Sequence, residues 1–345
     1  MKILFLSHKF YPDVGGIEVN SEILANYFVK FGAEVHLLNW SQAGTSNKDF
    51  PFKVIRNPNM SELFREHKWA DIVFENNPSL KLSWPLLLTA KPHVVALRTW
   101  ISRMDGTLAF QDKLKLQWIK RADAAIAVSE KVKELTFNDA IVIGNPYREY
   151  LFRNLELNRD KDFVFLGRLV SDKGADMAID LLKMLYESNL QQKKYNLTII
   201  GDGPEKENLE QMVKEYNLND YVSFTGMLGG QELVQVLNEH KYLLAPSRWK
   251  EPFGNIALEG MACGCLPIVS DGGGLIDAIG DAGVVFERNN VNSLFKNVSN
   301  LLTHPDLELT LRSKFGAHLQ SHQPEFVARK YYDVLTGVID ANGKN

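Results

Sequence analysis

The 345-residue chain predicts an α/β protein of two Rossmann-like, doubly wound domains in tandem, facing each other across a cleft. Three observations carry this. Short β-rich runs alternate with longer helical stretches, the rhythm of parallel sheets covered by helices. The polar stretch 154–162 (NLELNRDKD) breaks that rhythm, which then restarts. Loops rich in glycine and charge follow several strand runs, at the carboxyl ends where ligands bind in such sheets.

In the first half the strand runs fall at 2–7, 34–39, 53–56, 72–75, 94–98, 124–128 and 141–143. A helix is expected over 18–31, where Leu24, Tyr27, Phe28 and Phe31 recur at spacings of three and four. Gly32 ends it as a left-handed cap. Beyond the break, strands are expected at 163–166, 197–201, 222–225, 242–245, 267–270 and 283–286, and helices at 175–188, 205–215, 231–238 and 256–263. The tail 325–339 reads as a helix with Val327, Tyr331, Val334 and Leu335 on one stripe. The expected division is 1–155, 156–325, and a C-terminal helix, 326–345, packing back on the first domain.

Composition narrows the function. At 45% apolar and 23% charged residues the chain is ordinary, and long enough for two cores. A net charge of -3 argues against a nucleic-acid partner. Residues 1–150 hold 19 Lys+Arg against 16 Asp+Glu, net +3, leaving 20 against 26, net -6, so the first domain is the more basic. The longest apolar run is five residues, far below the ~18 that span a bilayer. The run 3–6 is also short of a signal-peptide core of ~7–15 residues. Cys263 and Cys265 are too few for a zinc cage or disulfide framework. No histidine has metal-ligand spacing, so no metal and no cofactor are expected, in a cytoplasmic protein.

Three loops hold the candidate chemistry. In Phe163-Val-Phe-Leu-Gly-Arg-Leu-Val-Ser-Asp-Lys-Gly-Ala175, Arg168 and Lys173 lie between a strand end and a helix N-terminus. A planar fork and a mobile ammonium there suit a diphosphate; taken alone they could equally be solvated surface charges. In Pro246-Ser-Arg-Trp-Lys-Glu-Pro-Phe-Gly-Asn-Ile-Ala-Leu-Glu259, Glu251 sits in the loop and Glu259 about a turn into the helix. Two separated carboxylates can accept from hydroxyls at two places along one ligand, or simply favour a helix start. In Phe10-Tyr-Pro-Asp-Val-Gly-Gly-Ile-Glu18, Gly15 and Gly16 would let a ligand approach the backbone closely; a tight connection would read the same way. Gly201-Asp-Gly203 lacks the third glycine of a dinucleotide fingerprint, and Gly272-Gly-Gly274 lacks the Lys of a Walker loop.

Taken in order, these segments resemble retaining GT-B glycosyltransferases of family 4, the glycosyl transferases group 1. Glu251-Pro-Phe-Gly…Glu259 is the most specific, joined by Ala122–Ser129, Val222-Ser-Phe-Thr-Gly226 and the loops above. The resemblance implies hexosyl transfer, with retention and without metal, from a nucleoside-diphosphate sugar to a glycan or lipid-linked acceptor in cell-surface polysaccharide or lipopolysaccharide synthesis. It makes 156–325 the donor domain and 1–155 the acceptor domain. Arg168 and Lys173 would hold the diphosphate, Glu259 the ribose, and Glu251 the transferred sugar. Backbone N–H groups near Phe253, Gly254, Asn255 and Ile256 would assist, Gly226, Met227 and Leu228 would flank the base, and Gly15-Gly16 would close over the donor.

Where many relatives have a histidine after the fifth strand this chain has Arg98, a candidate acceptor or phosphate contact. Asn145-Pro146 replaces a common Asn-Gly. The stretch 108–121 places Lys113, Lys115, Lys120 and Arg121 beside Leu114, Trp118 and Ile119, a candidate peripheral contact with the inner membrane face. An NAD-dependent epimerase or oxidoreductase and a catalytically silent sugar-nucleotide-binding protein are the alternatives.

Overall fold

Two all-parallel sheets account for the strands of the computed structural model, which describes residues 1–13, 15–42, 48–102, 106–188 and 190–343. Val14, beside Gly15-Gly16, lies outside the described residues. The first sheet contains β1 (Lys2–Ser7), β2 (Glu34–Asn39), β3 (Lys53–Arg56), β4 (Ile72–Asn76), β5 (His93–Leu97), β6 (Ala124–Ala127) and β7 (Ile141–Val142), in the order β3-β2-β1-β4-β5-β6-β7. The second contains β8 (Lys161–Leu166), β9 (Leu197–Ile200), β10 (Val222–Gly226), β11 (His240–Ala245), β12 (Leu266–Ser270) and β13 (Val284–Phe286), in the order β10-β9-β8-β11-β12-β13. The described chain thus forms two Rossmann-like α/β units.

The first unit comprises Met1–Pro146 and Pro324–Asn345. Its central strand, β1, is buried at every position after Lys2, because parallel sheets are covered on both faces. Phe5 pairs in register with Leu37 on β2 and Phe74 on β4. On one face the helix Gly16–Lys30 buries Leu24 and Phe28 against Phe5 and Phe74. The helix Pro324–Asn342 completes that face with Val327, Tyr331 and Leu335, Tyr331 meeting Phe74 edge to face. The C-terminal stripe expected from the sequence is therefore part of this core.

In the second unit, Tyr147–Gln323, β8 is central and pairs with β9 and β11. The helix Ala175–Glu187 buries Met177, Ile179, Leu181, Leu182 and Leu185 over Phe163 and Phe165. In each sheet the winding reverses beside the first strand, at β1/β4 and at β8/β11. The carboxyl edge at such a reversal is where neighbouring loops diverge and leave a ligand crevice.

All thirteen expected strands are present, with ends displaced by at most two residues. Arg98, expected to end the fifth strand, lies just beyond Leu97. The polar stretch read as a linker is pinned to the second unit instead. Asn238 accepts from the Leu155 amide (2.7 Å) and donates to the Arg153 carbonyl (3.0 Å), while Arg159 donates to the carbonyls of Asn238, His240 and Cys263. Its polar side chains serve buried backbone groups, so the first unit closes at Pro146, ahead of the expected 155.

Candidate active site

The loops that leave β8 and β11 meet at the reversal point of the second sheet. After β8 the chain runs through Gly167, Arg168 and Leu169 into a single 3-10 turn, Ser171–Lys173, then Gly174 and the helix Ala175–Glu187. Gly174 is left-handed, φ 73°, and a side chain there would collide with the Pro246 carbonyl oxygen. The Asp172 carbonyl accepts from the amides of Arg248 (2.8 Å) and Trp249 (3.2 Å) and from the Ser247 hydroxyl (3.2 Å). On the far side Gly201 and Gly203 have φ 146° and 157°, and a Cβ on either would strike the backbone of Gly167 or Leu169. Gly201-Asp-Gly203 is thus the bed on which the Arg168 loop lies.

This backbone arrangement brings the charged candidates together. Lys173 Nζ donates to Glu251 Oε1, which also accepts from Ser247 Oγ at 3.1 Å. The ammonium lies 5.4 Å from the Trp249 ring centroid, a cation–π approach. Both charged side chains are largely buried, 20% and 14% exposed, so their pairing is screened less than a surface pair's. Arg168 is exposed and makes no side-chain hydrogen bond or ion pair among the described residues. Arg248 forks onto Asp176 at 2.7 and 2.6 Å and so fixes the loop.

Glu251 is held in turn by Gly272-Gly-Gly274. The Gly274 amide donates to the Glu251 carbonyl (2.7 Å), and a Cβ on Gly273 or Gly274 would overlap the backbone of 250–253. Gly254, φ 110°, caps the helix Asn255–Ala262 where Leu275 leaves no room for a side chain. Phe253 is buried; Asn255 and Ile256 open the helix, and Glu259 lies one turn further on. Glu259 Oε1 accepts from Arg148 Nε (3.1 Å) and Nη2 (2.8 Å). Burial pushes its carboxyl above the ordinary carboxylate range, against the pull of Arg148. Gly226 ends β10 and Met227 and Leu228 follow it at the same carboxyl edge, with Met227 82% exposed. The structure therefore brings Arg168, Lys173 and Glu251 to one pair of loops, and adds Arg148, Ser247 and Trp249.

In the first unit Gly15 caps and Gly16 opens the helix Gly16–Lys30. Arg98 does not reach solvent as a ligand contact would. It is 6% exposed, with Nε donating to Asn76 Oδ1 (2.5 Å) and Nη1 to Asn145 Oδ1 (2.9 Å) and Tyr331 Oη (3.0 Å). Burial draws its pKa down, and it ties the ends of β4 and β7 to the C-terminal helix. The proposed membrane helix, Phe110–Ile119, also differs from its reading: Trp118 and Ile119 pack inward, Trp118 Nε1 donating to Glu75 (2.7 Å). Phe110 and Leu114 are the exposed apolar residues. At the β1/β4 reversal lies a cavity of about 580 Å³ that sequence reasoning missed.

Residues 147–317, which lie within the second unit, match the family model described as glycosyl transferases group 1. An uncharacterised glycosyltransferase of Methanocaldococcus jannaschii is 30% identical over 205 residues, 58% of this chain and 55% of the relative. The chain thus spans about half the length of the curated relatives it matches. The fold is shared with HepE of Anabaena solved in complex with UDP (TM-score 0.78, 18% identity, 98% of this chain and 100% of that one). It is shared too with the lipopolysaccharide outer core galactosyltransferase WaaB (TM-score 0.71, 17% identity, 98% and 99%). No helix among the described residues is long and apolar enough to cross a membrane.

Arg98→Ala would leave the buried acceptors of Asn76, Asn145 and Tyr331 without their donor. Each such loss costs about 1–3 kcal/mol, so urea unfolding of the full chain should show a stability loss of roughly 2–4 kcal/mol after partial relaxation. A change within ~0.5 kcal/mol, the scale of a surface substitution, would return Arg98 to a ligand-facing role.

Proposed function

We propose that the chain is a retaining, metal-independent hexosyltransferase, which takes its sugar from a nucleoside-diphosphate donor bound at the β8/β11 loops of the second unit. The observation that carries this is Arg168, without a side-chain partner among the described residues, in the same loop as Lys173, whose ammonium is oriented by Glu251. An ammonium has three N–H donors, so Lys173 can keep Glu251 and still reach a phosphate. As the anomeric C–O bond breaks, negative charge builds on the leaving diphosphate. Fixed cations aimed at that charge stabilise the transition state more than the ground state. The leaving phosphate then takes the proton from the attacking acceptor hydroxyl on the same face of the sugar, so configuration is retained and charge balances with Arg168 and Lys173 in place of a metal.

In this reading Glu251 accepts from hydroxyls of the transferred sugar and Glu259 from the ribose, with the N-terminus of the helix Asn255–Ala262 beside them. Gly226, Met227 and Leu228 flank the base, and the first unit holds the acceptor. The UDP in the HepE complex and the substrate class in WaaB's name support a nucleotide sugar and a glycan or lipid-linked acceptor. Surface-polysaccharide or lipopolysaccharide synthesis is the proposed setting. Exposed Phe110 and Leu114 beside Lys113 are the proposed peripheral membrane contact.

Lys173→Ala or Arg168→Ala should slow turnover by ~10²–10³, the scale of one preorganised donor, whereas a surface charge costs about 1 kcal/mol or less. Activity within threefold of wild type would remove that residue from the site. The raised pKa of Glu259 sets a second expectation. Protonation removes a hydroxyl acceptor, so donor affinity should fall as pH drops, beginning above the usual carboxylate range. Glu259→Gln should abolish this acid limb, and Arg148→Met should move it to higher pH. A limb unchanged in Glu259→Gln would exclude Glu259 as its source.

A further inference from the structure

We infer that the acceptor is an anion, carrying a phosphate held by Lys9, Lys81 and Lys115 in the cavity at the β1/β4 reversal point of the first unit. This rests on the transferase reading above and names the chemistry of its acceptor. The cavity, about 580 Å³, is within the size range of small-molecule sites and is lined by loops after β1 and β4 and by the helix Phe110–Ile119. Three lysines line it against one acidic residue, Glu18.

Those ammonium groups are available. Lys81 and Lys115 have no ion-pair partner among the described residues. Lys9 has one loose pair, 3.8 Å from Asp13, and remains 58% exposed. They come from three separate elements, so their convergence on one cavity is a property of the fold and not of a run of like charge.

A fourth positive charge stands behind the floor. Arg98 Nε donates to Asn76 Oδ1 (2.5 Å) and its main-chain N–H to Asn77 Oδ1 (3.3 Å), and both asparagines line the cavity. The guanidinium has no carboxylate partner among the described residues, and its Nη2 is buried without a hydrogen bond. A buried cation is weakly screened and raises the potential in the space beside it. Asn76 Nδ2 donates on to Ser21 Oγ (2.6 Å), so the floor is fixed before a ligand arrives. Glu18 then offers an acceptor for a hydroxyl of the same molecule.

The test measures binding of glucose 1-phosphate, with glucose as neutral control, to the full chain and to Lys81→Glu/Lys115→Glu by titration calorimetry. The phosphate should bind at least tenfold tighter than glucose, with affinity falling as salt rises. The double variant, at an unchanged melting temperature, should lose about tenfold or more. Equal affinity for glucose and its phosphate, or a variant within threefold of wild type, overturns the proposal. Displacement by phosphatidic acid vesicles would assign the phosphate to a lipid, and displacement only by soluble sugar phosphates to a soluble acceptor; either supports it. Titration of UDP, GDP and ADP into the same samples separates the two readings. Phosphate-sugar binding without nucleotide binding sinks the donor site alone, and the reverse sinks the anionic acceptor alone.

Discussion

The close approach of two backbones at the β8/β11 reversal is the constraint on which the candidate site depends. Gly174 lies against the Pro246 carbonyl, and Asp172 accepts from two amides of the facing loop. Gly273 and Gly274 bring a third segment against Glu251 and Pro252. No L side chain fits at these glycines, and a left-handed φ at Gly174 would add strain to any substitution. The loops that carry the charged side chains are therefore positioned by main-chain geometry before a ligand binds.

The same geometry explains how opposite charges coexist in a partly buried place. Lys173 and Glu251 neutralise one another, as do Arg148 and Glu259, so neither carboxylate is left as an isolated buried charge. Arg168 is the exception, exposed and therefore cheap to leave unpaired in water. The second unit thus holds one committed cation and one uncommitted one at a single strand end. In the first unit the cost is handled differently: Arg98 is buried with no carboxylate partner among the described residues, satisfied in part by Asn76, Asn145 and Tyr331.

The strands were legible because buried parallel strands read as short apolar runs bounded by turn residues. The principal amphipathic helices were legible from their stripes. Short helices such as Leu80–Ser83 and Leu86–Thr89 span too few turns for a period to show. Met60–Trp69 carries a local signal in the sequence, the Asn59/Glu62 capping box. In the site, Arg168, Lys173 and Glu251 were marked by their place beside strand ends. Arg148 was not, since its partner Glu259 is 111 residues away. Arg98 looked like a ligand contact for the same reason: its burial depends on Asn145 and on Tyr331, 47 and 233 residues distant. The glycines of 201–203 and 272–274 matched fragments of nucleotide motifs, whereas their cause is close packing of the loops that carry the candidates.

Amide hydrogen exchange of the full chain, with and without the nucleoside diphosphate it binds best, tests the central claim most directly. The account predicts added protection in the second unit at 167–175 and 246–259, the two loops and the helix start that flank the reversal point, and at 226–228 beside the base. Protection elsewhere in that unit, with these segments exchanging as in the free protein, would contradict it.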